Sequence, residues 1–378
     1  MKHQIITVTK DLASVYLGIK EFGPDVVHLI MIDEVRAECQ DMLRLLPDSI
    51  EVKEYFTEPY DGIKVESICE EIHTNFEGEF QYNLTSGTRI MVISAYNIAI
   101  KYNTNTFFIS QEDKLISLPS YDSRDLLHSL DNEEILSIYG ETIKSFSDLD
   151  ELNKEDIICS SKIKKFIEKY YNQYTKIKRY FKRYRVEDFT KKDAKYKVEE
   201  FLEFELKGGR MKIFYKQNQI FISDNPNCAF LFFVGRWWEC LVAQQVKFWS
   251  QSRKRDDDIW QSVVFDSESA DFNNESSPVK NEIDILVNDD TRLLIMECKS
   301  GYISQDNIYR LDSVRETYGG DKSKAILISY YPLDVVLQQK CDDLHIHFFA
   351  PTTYQERIFN LSKLPMYLDS VLGVAEIS

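Results

Sequence analysis

Near the end of the chain, three charged residues stand in an apolar setting: Asp284, Glu297 and Lys299, within the run NEIDILVNDDTRLLIMECK at 281–299. Charges set among Ile, Leu and Val are costly unless they hold something. Two converging carboxylates repel each other, and a hard divalent cation with oxygen ligands relieves that conflict. Such an ion, Mg²⁺ or Mn²⁺, acidifies a bound water and braces the phosphate it attacks. Lys299 adds a compact positive charge for the negative charge that develops in the transition state. A surface hairpin with incidental charges is the plainer alternative, but this run is too apolar on both faces for that.

The elements that must position these groups are two strands, 282–287 and 292–299, joined by a polar turn at Asn288–Thr291. Pairing Val287 with Arg292 sets Asp284 opposite Ile295 and Glu282 opposite Glu297. Alternation then puts Asp284, Glu297 and Lys299 on one face. Ile283, Ile285, Val287, Leu294, Met296 and Cys298 form the other. The pattern Asp-x12-Glu-x-Lys resembles the PD-(D/E)xK nuclease signature.

At 378 residues the chain has room for two domains and a linker. No apolar run reaches the length that spans a bilayer, so no membrane role is expected. The N-terminus, MKHQ, enters a strand directly, without a signal-peptide pattern. Seven scattered cysteines without a CxxC point to free thiols in a reducing cytoplasm. A net charge of −16 argues against a protein that coats nucleic acid non-specifically. The charge is uneven: residues 1–150 hold 12 Lys/Arg against 27 Asp/Glu, and 160–198 hold 14 against 4. That basic stretch interleaves lysines with tyrosines, which suits a single-stranded nucleic acid or, slightly better, a helix with tyrosines packed inward.

The first 110 residues alternate strands with amphipathic helices, which implies a parallel, doubly wound sheet with ligands at the carboxyl ends of its strands. Two loops occupy such ends: Thr9-Lys10-Asp11, and Thr85-Ser86-Gly87-Thr88-Arg89, which opens a helix. Ser, Gly and Thr there leave backbone N–H groups free and let a phosphate approach, while Arg89 offers a bidentate contact. An ordinary capped turn reads equally well. The rhythm fades between 112 and 200, where 131–139 and 162–185 look helical. From 201 a hairpin turning at Gly208-Gly209 leads to a helix opened by Gly235-Arg236-Trp237-Trp238-Glu239. A strand over 260–265 and a polar loop over 267–278 precede the central hairpin; a helix over 305–318 and strands over 325–330 and 345–349 follow it.

Taken in order, these parts resemble the CRISPR ancillary nucleases that join a CARF domain to a PD-(D/E)xK domain. The residues that carry the likeness are 83–91, 235–239 and 281–301. It implies an α/β protein, with a Rossmann-like CARF sensor over 1–120, a helical linker over 121–200, and a restriction-endonuclease-like mixed sheet with flanking helices over 201–378. It implies Glu239, Asp284, Glu297 and Lys299 as the nuclease site, with Asp284, Glu297 and Glu239 on the metal. It also implies Thr9, Lys10, Asp11, Thr85, Ser86, Gly87, Thr88 and Arg89 as contacts to cyclic tetra-adenylate at a homodimer two-fold. Relatives commonly have a second glycine at Ser86 and a lysine at Arg89, so the ring size stays open. DNA or RNA is the implied substrate. The alternative is a cyclic-nucleotide-sensing regulator whose second domain binds nucleic acid or a partner without cutting.

Overall fold

A computed structural model describes residues 1–182, 184–185, 193–253, 259–266, 279–289, 291–320, 322–351 and 360–373. The expected polar loop at 267–278 and Asp290 of the central turn lie outside these residues.

The N-terminal rhythm folds as a seven-stranded sheet, ordered β3-β2-β1-β4-β5-β6-β7. Its strands are β1 (Lys2–Val8), β2 (Val26–Met31), β3 (Glu51–Phe56), β4 (Glu79–Asn83), β5 (Asn105–Ile109), β6 (Lys114–Leu118) and β7 (Ser123–Asp125). The first five run parallel and the last two turn back antiparallel. β2 is buried along its whole length, as expected of a parallel strand covered on both faces. Helices α1 (Leu12–Phe22), α2 (Arg36–Leu43), α3 (Gly62–Asn75) and α4 (Arg89–Lys101) make the crossovers. Asp11 caps α1 by accepting the Ser14 N–H, and Thr88 caps α4 by accepting the Met91 N–H. Strand order reverses between β1 and β4, so the loops 9–11 and 84–88 leave adjacent strand ends at the switch point.

The stretch 121–200, expected to be a helical linker, contributes strands to all three sheets as well as helices. β7 extends the first sheet; α5 (Asn132–Ile138) and β8 (Ile143–Asp148) follow. After α6 (Lys154–Lys169) and α7 (Tyr171–Phe181), β9 (Ala194–Glu199) opens a four-stranded antiparallel sheet. β8 has a mostly exposed, polar pattern that carries no core-facing period, which is why composition hid it. In α7, Tyr174, Ile177 and Phe181 pack inward and Lys176 pairs with Glu199, but Tyr171 is exposed, so the inward-tyrosine reading holds for Tyr174 and not for the whole helix.

The antiparallel sheet continues with β10 (Leu202–Lys207), β11 (Arg210–Tyr215) and β12 (Asn218–Ser223), then α8 (Cys228–Val234) and α9 (Arg236–Arg253). A six-stranded mixed sheet closes the fold, in the order β17-β16-β15-β14-β13-β8. It holds β13 (Ile259–Asp266), β14 (Val279–Asp289), β15 (Arg292–Lys299), β16 (Lys324–Ser329) and β17 (His347–Phe349). Helices α10 (Gln305–Gly319), α11 (Val335–Asp343) and α12 (Leu364–Leu372) flank it. Trp237, Trp238 and Trp249 of α9 lie in one core with Ile285, Val287, Leu294 and Met296. A second core joins Ile6, Val8, Leu29 and Met31 of the first sheet to Leu286, Ile295, Ile308 and Leu327. The two halves therefore share apolar packing rather than hanging from a linker. Among the described residues, no helix is long and apolar enough to cross a membrane.

The central hairpin has a register two residues from the expected one: Val287 pairs with Leu294 and Asp289 with Arg292. Asn288 and Asp289, expected in the turn, stay in the ladder, their side chains bonded to the Leu130 carbonyl and to Arg292. A slip of two preserves the faces. The expected alternation nevertheless breaks at Asp284: Ile285 packs in the α9 core and Ile283 in the opposite one. Ladder pairs between β14 and β15 end at Ile285, and Ser262 on β13 sits at φ +51, a local departure from regular strand.

Candidate functional sites

The break at Asp284 builds the first site. With its strand no longer alternating, Asp284 lines a cavity of about 310 Å³ together with Glu239, Arg236, Asn153, Asp156 and Phe230. Its Oδ2 accepts the Cys298 N–H at 2.6 Å, tying it to the neighbouring strand. Glu297 is nearly buried on the α10 side, following Leu293 and Ile295 of the shared core. Its Oε1 meets the Lys299 ammonium and accepts from Arg310 Nη2 at 2.8 Å. Glu239 enters from the first turn of α9; Arg236 lies 3.6 Å from it and 2.9 Å from Glu282.

The electrostatics link these groups. Burial raises the Asp284 carboxyl well above its ordinary range, and Glu297 and Glu239 add to the rise. Burial also pushes Glu239 up to about 7; Glu282 and Glu297 act the same way, and Arg236 and Lys299 oppose them. Burial works against the Lys299 charge, but Glu297 and Asp284 outweigh it and raise its pKa. Lys299 thus stays cationic at neutral pH.

Among the described residues, no three His, Cys, Asp or Glu side chains are grouped to hold a metal ion. A Mg²⁺ site needs only one or two carboxylates, with waters and substrate phosphate completing the shell. Asp284 and Glu297, all-oxygen donors that repel each other, fit that minimal set. Glu239 lines the cavity with Asp284 and lies 3.6 Å from Arg236. Arg236 and Arg310 were not legible in sequence, since nothing in the spacing of their helices singles them out.

The second site lies at the switch point. Thr9, Lys10, Asp11, Thr85, Ser86, Gly87 and Thr88 line one cavity of about 560 Å³, with Glu34, Glu38, Tyr139 and Lys322. The loops lock to each other: the Thr9 N–H donates to Ser86 Oγ and the Gly87 N–H to Thr9 Oγ1. Gly87 sits at φ +113, and a Cβ there would fall 2.7 Å from Thr7 Oγ1, so only glycine allows this approach. The free amides expected in this loop are fewer than its composition suggested. Thr85 gives its N–H and hydroxyl to Asn83, and Gly87 gives its N–H to Thr9. The first-turn amides of α4, at 89 and 90, are those that helix geometry leaves for a ligand. Arg89 is exposed and does not line the cavity of its own chain. Tyr139, Glu34, Glu38 and Lys322 come from elements distant in sequence, beyond the reach of any local motif.

Residues 227–356 match the family model of the Card1-like endonuclease domain. No curated protein matches the sequence. Among solved structures, Can2 from Sulfobacillus thermosulfidooxidans, in complex with cyclic tetra-adenylate, is similar at 17% identity and a TM-score of 0.72. The match covers 98% of this chain and 99% of that one. Protein VC1899 from Vibrio cholerae is similar at 17% identity over 98% of each chain, with a TM-score of 0.71. A type III CRISPR defence DNA nuclease activated by cyclic oligoadenylate is similar at 13% identity and a TM-score of 0.55. There the match covers 99% of this chain and 52% of that one. At such identities the likeness establishes the fold, and it runs through both halves.

Proposed function

We propose that this protein is a ligand-gated, metal-dependent nuclease of type III CRISPR defence, acting in the cytoplasm as a homodimer. Cyclic tetra-adenylate would bind at the switch-point cavity and activate cleavage of DNA or RNA phosphodiesters at Asp284, Glu297 and Lys299. One observation carries the reading. A single chain joins a Card1-like endonuclease domain to a phosphate-suited cavity, in the fold of a protein whose structure contains cyclic tetra-adenylate. The sensor is assigned to 1–120 and the nuclease to 201–378, with 121–200 feeding strands to both.

Asp284 and Glu297 would hold Mg²⁺ or Mn²⁺, which when bound acidifies water and polarises the phosphate. Lys299, kept charged by its two carboxylates, would stabilise the negative charge of the transition state. Glu239, poised near 7, is suited to hold a proton or orient a water from the cavity side. In the sensor, Lys10 would meet phosphate, while Glu34 and Glu38 suit exocyclic amines of a purine. Ile63, Ile90, Ile93 and Ile100 are exposed on α3 and α4, an apolar stripe that a second copy would cover. Arg89 heads that stripe and would contact the ring only in the dimer.

The regulator reading draws on Glu297 being already engaged by Lys299 and Arg310. One experiment decides between them: cleavage of labelled DNA and RNA in Mg²⁺ or Mn²⁺, with and without cyclic tetra-adenylate, beside Glu297→Gln. Messenger-dependent cleavage lost in that variant, with messenger binding retained, is the expected result. Absence of cleavage by the wild type, with messenger bound, would leave the regulator.

A further inference from the structure

One lysine of the switch-point cavity comes from the other half of the chain. Lys322 follows α10 in the nuclease half, yet its Nζ donates to Ser14 Oγ at 2.6 Å, 308 residues away. The same ammonium lies 2.8 Å from Asp11 Oδ2. Both partners belong to the start of α1, and all three side chains are at most partly exposed. A cation at a helix N-terminus works against the helix dipole, so the fold gains little by placing one there. A bound phosphate would reverse that balance, since dipole and ammonium then act together. Lys322 also lines the switch-point cavity, beside Thr9, Ser86 and Gly87.

We propose that Lys322 is a messenger-binding residue of the sensor cavity, supplied by the nuclease half. This rests on the cavity being the cyclic oligoadenylate site. The resting ammonium neutralises Asp11, which would otherwise repel an anion, and on binding it passes to a phosphate oxygen.

The surroundings of Lys322 carry that exchange to the other site. Gly320 passes so close to Tyr139 that a Cβ would fall 2.4 Å from its hydroxyl, and Tyr139 lines the cavity. Ser323 Oγ donates to the Gly319 carbonyl at the end of α10 and accepts the Leu293 N–H at the start of β15 at 2.9 Å. The two elements bolted together there are the two that hold Glu297: β15 carries it, and α10 carries Arg310, which binds it. Movement at Lys322 and Ser323 therefore reaches the carboxylate through the two elements that carry and bind it.

The test is calorimetric titration of the full-length protein with cyclic tetra-adenylate, beside cleavage at saturating messenger. Lys322→Gln should bind roughly ten- to a hundredfold more weakly, the range of a lost charge-assisted bond. Its saturated cleavage should also fall below wild type, which separates it from a residue that only sets affinity. Lys322→Arg should keep binding, and Asp11→Asn in the Lys322→Gln background should recover part of it. Ligand-free melting curves establish that each variant is folded. Lys322→Gln binding the messenger as tightly as wild type overturns the inference and leaves the proposed function standing. Weakened binding with wild-type saturated cleavage overturns the transmission to Glu297. A wild type that binds no messenger overturns both this and the function it rests on.

Discussion

At the scale of single residues, the proposed nuclease site is held in an unfavourable electrostatic state. Glu239 ionises near 4.5 when free and at about 7 in the fold, with burial as the main cause. The folded protein therefore binds more protons than the unfolded chain between those values, and stability falls as pH rises through that window. Above 7 the ionised Glu239 works against folding, by an amount on the order of 1–3 kcal/mol. Glu239→Gln should accordingly raise the melting temperature by several degrees at pH 8 in EDTA, change it little at pH 4.5, and lower cleavage. Added Mg²⁺ should narrow the gap at pH 8 by relieving the repulsion in the wild type. Melting curves at the two pH values check this; a variant less stable than wild type at pH 8 would refute the assignment.

At the scale of elements, the two sheets differ in how their polar groups are tolerated. His3 and His28 on neighbouring strands β1 and β2 stack, with His3 Nδ1 and His28 Nε2 3.0 Å apart. Tyr55, Phe76, Lys53 and Glu51 surround His28, whose pKa burial lowers from 6.5 to about 4, with His3 and Lys53 acting the same way. On acidification the unfolded chain takes up a proton near 6.5 and the folded one only near 4. Stability should thus drop across that window by about 3 kcal/mol, and His28→Phe should flatten the drop. Urea unfolding at pH 7 and pH 4.5 measures it, and an unchanged pH slope in the variant would reject this account. Such interior pairs were not foreseen from sequence, whereas the strands bearing them were, because near-continuous apolar runs mark parallel strands. The same limit applies to the hairpin. Its apolar period gave both strands and the two faces of β15, but Asn288 and Asp289 resemble turn residues until their partners Leu130 and Arg292 are known. The switch of face at Asp284 depends on a neighbouring strand, so no pattern within the hairpin contains it.

At the scale of the whole molecule, the proposed function asks an acidic protein to bring together two anions, a messenger and a nucleic acid, through a few local cations. A shared core makes the two halves one packed body, so a change at the cavity is not lost in a flexible joint. In the proposed dimer the remaining freedom lies between copies. Along α4, Ile90, Ile93 and Ile100 are 40%, 55% and 58% exposed, and Ile63 of α3 beside them is 83% exposed. Covering one such half-exposed isoleucine contributes roughly 1 kcal/mol, so the four together suit a contact with a second copy. A two-fold contact repeats each substitution on both sides, so one charge placed there meets its own copy. Ile93→Glu should therefore convert a dimer to folded monomers in light scattering at micromolar concentration, because the side chain is exposed and packs in no core of its own copy. If the ring is bound by two half-sites, the same variant should also lose messenger affinity, though every cavity residue is intact, and recover cleavage only as protein concentration rises. Loss of cleavage that ignores protein concentration would place the defect within one copy. A variant that stays dimeric and responds normally to cyclic tetra-adenylate would show that α4 is not the interface, and that the ring is held by a single chain or by another face.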